Sequence, residues 1–160
     1  MNWQLIDYRK KAEIMNFQTD LKVFFVFGIC LCLNMNSQFA QAASSIENIG
    51  EIRDGVRHLS ASEAAAILKL DTSIRVLDVR TGIEHRFGHI EGSTNINYYS
   101  FSFKEQLNKL DKNLTWLVHC KVGVRSGKTI PLMKESGFVS IIHMDGGIDD
   151  WKNAGLPITR

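Results

Sequence analysis

The sequence is most constrained by a change of pattern around residue 120. The apolar run Trp116-Leu117-Val118 reads as a buried strand. It passes through His119-Cys120 into the loop Lys121-Val122-Gly123-Val124 and then into a helical segment from about Arg125 to Ser136. A buried strand that hands over this quickly to a helix belongs to a layered α/β fold, and such folds place their chemistry beyond the C-terminal ends of strands. Cys120 sits at that position. The free N–H groups and positive end of the following helix face the sulfur, and Lys121 and Arg125 add two cations. Surroundings of this kind lower a cysteine pKa from about 8.5 into the range of roughly 3.5–7.5. A lone cysteine is more often a small buried hydrophobe. The succession of strand, cysteine, glycine-containing loop, arginine and helix is what marks Cys120 as a candidate nucleophile.

The flanking chain supplies the other layers. Ser60-Ala61-Ser62-Glu63 is a capping box that opens a helix to about Lys69, with Ala64, Ile67 and Leu68 facing inward. Ile74-Arg75-Val76-Leu77 is a strand ending at Asp78. A loop with Gly82, Gly88 and Gly92 leads to a short strand at Thr94-Asn95-Ile96. Ser102-Phe103-Lys104-Glu105 is read as a second capping box, before a helix whose Phe103, Leu107 and Leu110 share a face. Gly137 suits the position after the post-cysteine helix, and Pro131 inside that helix predicts a kink. Ile141-Ile142-His143-Met144 is another strand, followed by a helix over about Ile148 to Asn153. Strands alternating with helices predict one α/β domain with a mostly parallel central sheet and helices on both faces.

Residues 1–42 have a different character. Val23 to Leu33 is an uninterrupted run of eleven mostly apolar residues, too short to span a bilayer. Lys22 precedes it and Ala40-Gln41-Ala42 follows as a cleavage site. The expectation is a signal peptide over 1–42 (with Met15 a possible true start), a linker over 43–56 and a domain over 57–160. The protein is then exported, to the periplasm, with no stable membrane insertion after cleavage. Of 19 Lys+Arg and 17 Asp+Glu, four and three lie in that leader, so the mature part is near neutral. That balance gives no basis for a nucleic-acid partner. Cleavage also removes Cys30 and Cys32, leaving Cys120 unpaired in an oxidising compartment where cysteines usually pair.

Loop length narrows the chemistry. The cradle of cysteine phosphatases resembles His-Cys-x5-Arg, whereas here only four residues separate Cys120 from Arg125, so the loop closes around a smaller object. Cys-x-x-Gly-x-Arg-Ser over 120–126 resembles the active-site loop of the rhodanese family. Two further segments resemble that family. One is Leu77-Asp78-Val79-Arg80 with Glu84 and Gly88-His89-Ile90-Glu91-Gly92-Ser93-Thr94-Asn95-Ile96. The other is Gly146-Gly147 with Trp151 and Gly155-Leu156-Pro157-Ile158. Together they bracket residues 57–160. The chain departs from the family at Ile148, where many members carry an aromatic residue, at Pro131, and at the apolar loop residues Val122 and Val124.

The resemblance implies a sulfurtransferase with Cys120 as the catalytic residue. Cys120 takes sulfane sulfur from thiosulfate or a related donor, forms a persulfide, and passes the sulfur to cyanide or a thiol. No cofactor and no metal are implied; the partners are the small-molecule donor and acceptor, or a thiol-carrying redox protein. Lys121, Val122, Gly123, Val124 and Arg125 are the loop that holds the persulfide with inward amides. Lys121 and Arg125 attract an anionic donor, or Arg125 braces the loop against a carboxylate such as Asp78. Asp78 and Arg80 support the loop by pairing. His119, one residue before the nucleophile, points to the opposite face. His58, His85 and His143 read as too scattered for a zinc site, His89 as a loop cap and Trp151 as core. A persulfide carrier or sensor is the alternative, and an arsenate reductase or phosphatase-like enzyme a further one.

Overall fold

The computed structural model describes residues 49–160, and the expected signal peptide lies outside them. Burial alternates along the strands and builds two cores. On β5 (Thr115–His119), Trp116 and Val118 pack with Leu77, Ile141 and, just past the strand, Cys120. Leu117 faces the other way, toward Val76 and Ile142. The first face is covered by α3 (Phe103–Asn108) and α4 (Val124–Glu135) through Phe103, Leu107, Ile130 and Met133. The second is covered by α1 (Ala61–Leu70) and α5 (Gly147–Asn153) through Ala61, Ala64, Ile67, Ile148 and Trp151. Strands buried on both faces are what a parallel sheet requires.

The six strands run in the order β1-β2-β6-β5-β3-β4. β2 (Val56–Leu59), β6 (Ser140–Met144), β5, β3 (Arg75–Asp78) and β4 (Thr94–Asn95) are parallel, and β1 (Glu51–Arg53) is the antiparallel edge. This is the expected α/β domain, with helices on both faces. No helix among the described residues is long and apolar enough to cross a membrane.

Three local expectations need correction. Residues 51–53, assigned to the linker, are β1. All three are exposed on the edge of the sheet, so they carry no hydrophobic period. The turn Asp54-Gly55, with φ 50° and 72°, is the two-residue Asp-Gly hairpin that makes the strand possible. The loop after β3 contains a short helix, α2 (Gly82–Arg86), too brief for periodicity but announced by a capping box at Thr81 and Glu84. Ser102 forms no capping box. Its ψ of 13° is not extended, its hydroxyl accepts from Gln106 Nε2 at 2.7 Å, and Glu105 pairs with Lys109. Pro131 lies inside α4, which continues to Glu135.

Candidate active site

Cys120 lies one residue beyond β5, and the chain turns at once into α4. Gly123, the residue before the helix, has φ +89°. A Cβ there would lie 1.8 Å from the Asp145 carbonyl oxygen, so the loop rests directly on the β6–α5 turn. The same turn clamps the loop from below: the amides of Ile148 and Asp149 donate to the carbonyls of Cys120 and Lys121 at 2.9 and 3.0 Å. Gly147, at φ +61°, is the residue that permits this approach, since a Cβ would sit 2.6 and 2.5 Å from those two carbonyl oxygens. The Gly-Gly pair is therefore the floor of the site.

Cys120 is 1 % exposed. Burial opposes the thiolate, but hydrogen bonds from the Ser126 hydroxyl and from the amides of Ser126, Val122 and Arg125 outweigh it. They hold Cys120 below the ordinary cysteine range. These donors, gathered by the loop and the first turn of α4, include the amides of Val122 and Arg125 from the expected loop, with Ser126 taking a place that the sequence leaves unassigned. Ser126 Oγ lies 3.5 Å from Sγ. Val122 and Val124 are 54 % and 60 % exposed and form an apolar rim, beside which the Lys121 side chain is exposed.

Arg125 takes the bracing role, against Glu84 rather than Asp78. Its Nη1 and Nη2 donate to the two Glu84 oxygens at 2.8 and 2.7 Å. This fork-to-fork pairing spends its charge inside the protein. Tyr99 stacks beneath the guanidinium at 5.7 Å. Asp78 and Arg80, both buried, pair with each other: Arg80 Nε reaches the two carboxylate oxygens at 3.0 and 2.9 Å. Arg80 also donates to the carbonyls of Gly88 and Glu84, fixing the segment that carries Glu84. The pair thus acts on the loop through Glu84 and Arg125, without touching the sulfur.

The histidines are less scattered than the sequence suggests. His119 is fully buried; its Nδ1 lies 3.1 Å from the Cys120 carbonyl oxygen, and its Nε2 has no hydrogen-bond partner among the described residues. His89 Nδ1 donates to the His85 carbonyl oxygen at 3.1 Å, and the two rings stack. His58 and His143 meet edge to face with ring centroids 5.1 Å apart, and both contact Asp145 Oδ1, at 2.7 and 2.8 Å. Two histidines and a carboxylate with ligand atoms within 4.8 Å are a set that could hold a cation. The spacing decides otherwise. Metal bonds of about 2.0–2.2 Å in a tetrahedron hold ligand atoms roughly 3.3 Å apart. The N···O separations of 2.7 and 2.8 Å are hydrogen bonds, and Arg53 occupies the other Asp145 oxygen.

A mostly parallel α/β domain whose strand-end cysteine receives the amides of Val122, Arg125 and Ser126 defines the class, and the comparisons specify it. The sequence pattern of the Rhodanese-like domain family matches residues 60–154, and the chain belongs to that family. Among solved structures it is similar to a rhodanese-related protein from Thermoplasma volcanium, at 29 % identity and a TM-score of 0.58, covering 64 % of this chain and 97 % of that one. A Rhodanese-like domain protein from Staphylococcus aureus is 26 % identical with a TM-score of 0.55, covering 64 % and 98 %. Among curated proteins, the probable adenylyltransferase/sulfurtransferase MoeZ of Mycobacterium tuberculosis is 35 % identical over 84 residues, 52 % of this chain and 21 % of that one. A tRNA uridine(34) hydroxylase of Cytophaga hutchinsonii is 30 % identical over 108 residues, 66 % and 34 %. The chain thus spans only 21 % and 34 % of the lengths of these two curated relatives.

Proposed function

We propose that the protein is a sulfurtransferase that accepts sulfane sulfur on Cys120 from thiosulfate or a related donor and delivers it to cyanide or a thiol. One observation carries the reading: the Cys120 sulfur is enclosed by inward-facing amides in a loop of four intervening residues, held shut by the Gly147 floor and the Arg125–Glu84 brace. The thiolate attacks the outer sulfur of thiosulfate, the S–S bond to the sulfonate breaks, and sulfite leaves with the electron pair. Cys–S–S⁻ remains, and the nest solvates its charge without reorganising. Attack needs the approach of a single divalent sulfur. A tetrahedral oxyanion would have to bring several oxygens into a cradle that leaves the cysteine 1 % exposed.

With Arg125 committed to Glu84, Lys121 is the loop's cation for an anionic donor, and the Val122–Val124 rim favours a donor or acceptor with an apolar portion. Thiocyanate formation from thiosulfate and cyanide tests the reading. The native protein is expected to turn over and folded Cys120→Ser to be inactive; an active, folded Cys120→Ser protein would move the nucleophile elsewhere. Export belongs to the same proposal, motivated by the apolar run and the Ala40-Gln41-Ala42 site, with a mature N-terminus at Ala43.

A further inference from the structure

Behind the cysteine, buried polar groups form a continuous chain that sulfur transfer as written above does not use. Ser126 Oγ lies 3.5 Å from Cys120 Sγ, 3.0 Å from the Gly123 carbonyl oxygen and 2.8 Å from His143 Nε2. A serine hydroxyl has one hydrogen, so it can donate to only one of the three. His143 Nδ1 faces a carboxylate oxygen of Asp145 at 2.8 Å, and a carboxylate only accepts, so Nδ1 carries hydrogen. A neutral His143 then presents its Nε2 lone pair to the serine. The Ser126 O–H points at His143, and the Cys120 S–H points at Ser126 Oγ. The same heavy atoms also suit the opposite arrangement: a doubly protonated His143 donates from Nε2 to Ser126 Oγ, and the serine hydrogen turns to a thiolate. The two arrangements differ by two proton positions and by no heavy-atom movement.

We propose that Ser126, His143 and Asp145 form an inward proton relay for Cys120, in which Sγ–H passes its proton to Ser126 Oγ while Ser126 Oγ–H passes its own to His143 Nε2. One S–H and one O–H bond break, and one O–H and one N–H bond form. No electrons change hands and no co-reactant is needed: thiol and imidazole become thiolate and imidazolium, the latter held by Asp145. Enclosure makes the route physical, since Cys120, Ser126 and His143 are 1 %, 0 % and 5 % exposed and the proton needs an acceptor within the protein.

The groups around His143 are suited to the task. Ser126 faces it from α4, His58 Nδ1 from β2 at 3.4 Å, and Asp145 from the β6–α5 turn, with Arg53 of β1 on the far carboxylate oxygen. Burial keeps His143 below the ordinary imidazole range against the pull of Asp145, so the resting ring is neutral and free to accept. The imidazolium formed lies beneath the sulfur and balances the thiolate, then the persulfide.

The relay rests on Cys120 being the nucleophile, and its test is independent of turnover. The ultraviolet absorbance of the Cys120 thiolate is titrated in the full-length chain, with Cys120→Ser as the blank for Cys30 and Cys32. Ser126→Ala and His143→Gln are each expected to raise the midpoint by about one pH unit or more, as for coupled groups. The double variant should shift no further than either single one, and Ser126→Thr should restore the native midpoint. In parallel, nitrogen NMR of His143 should show an imidazolium beside the thiolate between the two deprotonation steps of the native pair, and a neutral ring at the same pH in Cys120→Ser. A native midpoint in His143→Gln, additive shifts in the double variant, or a His143 that is already neutral throughout the pH range over which the thiolate first forms would overturn the relay. A protein that shows the shared titration but transfers no sulfur would overturn the sulfurtransferase reading and leave the relay standing.

Discussion

Replacing Glu84 by Gln isolates the charge that braces the active-site loop. Gln keeps a carbonyl oxygen able to cap α2 at Thr81, where Glu84 now accepts from the backbone amide at 2.9 Å and the hydroxyl at 2.8 Å. What is lost is the ion pair with Arg125. That pair, with the hydrogen bonds from Thr81 adding to it and burial opposing it, brings the Glu84 carboxyl from 4.5 down to about 2. At 1.36 kcal/mol per pKa unit this corresponds to a ceiling of about 3 kcal/mol. The Glu84 side chain is 31 % exposed, so solvent screening reduces the figure, to roughly 1–2 kcal/mol.

A carboxyl with a depressed folded pKa contributes stability that is fully present above its unfolded value and is lost as pH falls through the folded one. The window here runs from 4.5 down to about 2. Urea unfolding of native and Glu84→Gln proteins should therefore show a gap of roughly 1–2 kcal/mol at about pH 7 that closes at about pH 2. A gap of equal size at both pH values would mean that the Glu84 contribution is packing rather than charge. No gap at neutral pH would mean that the brace is idle.

Two further perturbations probe the cradle. Gly147→Ala forces a side chain into the left-handed region and against the Cys120 and Lys121 carbonyls, so a loss of at least about 2 kcal/mol in stability is expected, together with loss of sulfur transfer. Thermal unfolding beside thiocyanate formation checks it, and a stable, active variant would show that the floor can move. Inserting one Gly between Gly123 and Val124 widens the loop to five intervening residues. The sulfur then loses an amide contact worth about 2.7–4 kcal/mol in comparable oxyanion sites, so thiocyanate formation should fall by roughly two orders of magnitude or more. A native protein that hydrolyses p-nitrophenyl phosphate well and moves no sulfur would refute the argument from loop length.

What could be read from the sequence follows physical range. Cys120 and its loop were legible because strand, glycine, arginine and helix are consecutive, and the parallel sheet because apolar strands alternate with capped helices. The Asp78–Arg80 pairing was accessible for the same reason, being local. The partner of Arg125 was not, since Glu84 lies 41 residues away on a helix too short to show a period. Nor was the gathering of Arg53, His58, His143 and Asp145. The sheet order sets β1, β2 and β6 side by side, although Arg53 and Asp145 are 92 residues apart. One signal was available and missed: Asp54-Gly55 announces the hairpin that brings Arg53 to Asp145. Ser126 is visible in the sequence as the end of the loop, but its role depends on His143, which only the fold supplies.

The central claim is that Cys120 carries sulfur, and mass spectrometry tests it most directly. Protein incubated with thiosulfate is digested without reductant, and the peptide containing Cys120 is weighed before and after addition of cyanide. The account predicts a gain of one sulfur atom on that peptide, removed by cyanide with equimolar thiocyanate released, and no gain in Cys120→Ser. An unmodified Cys120 in a protein that nonetheless forms thiocyanate, or a persulfide that cyanide and thiols leave in place, would contradict it.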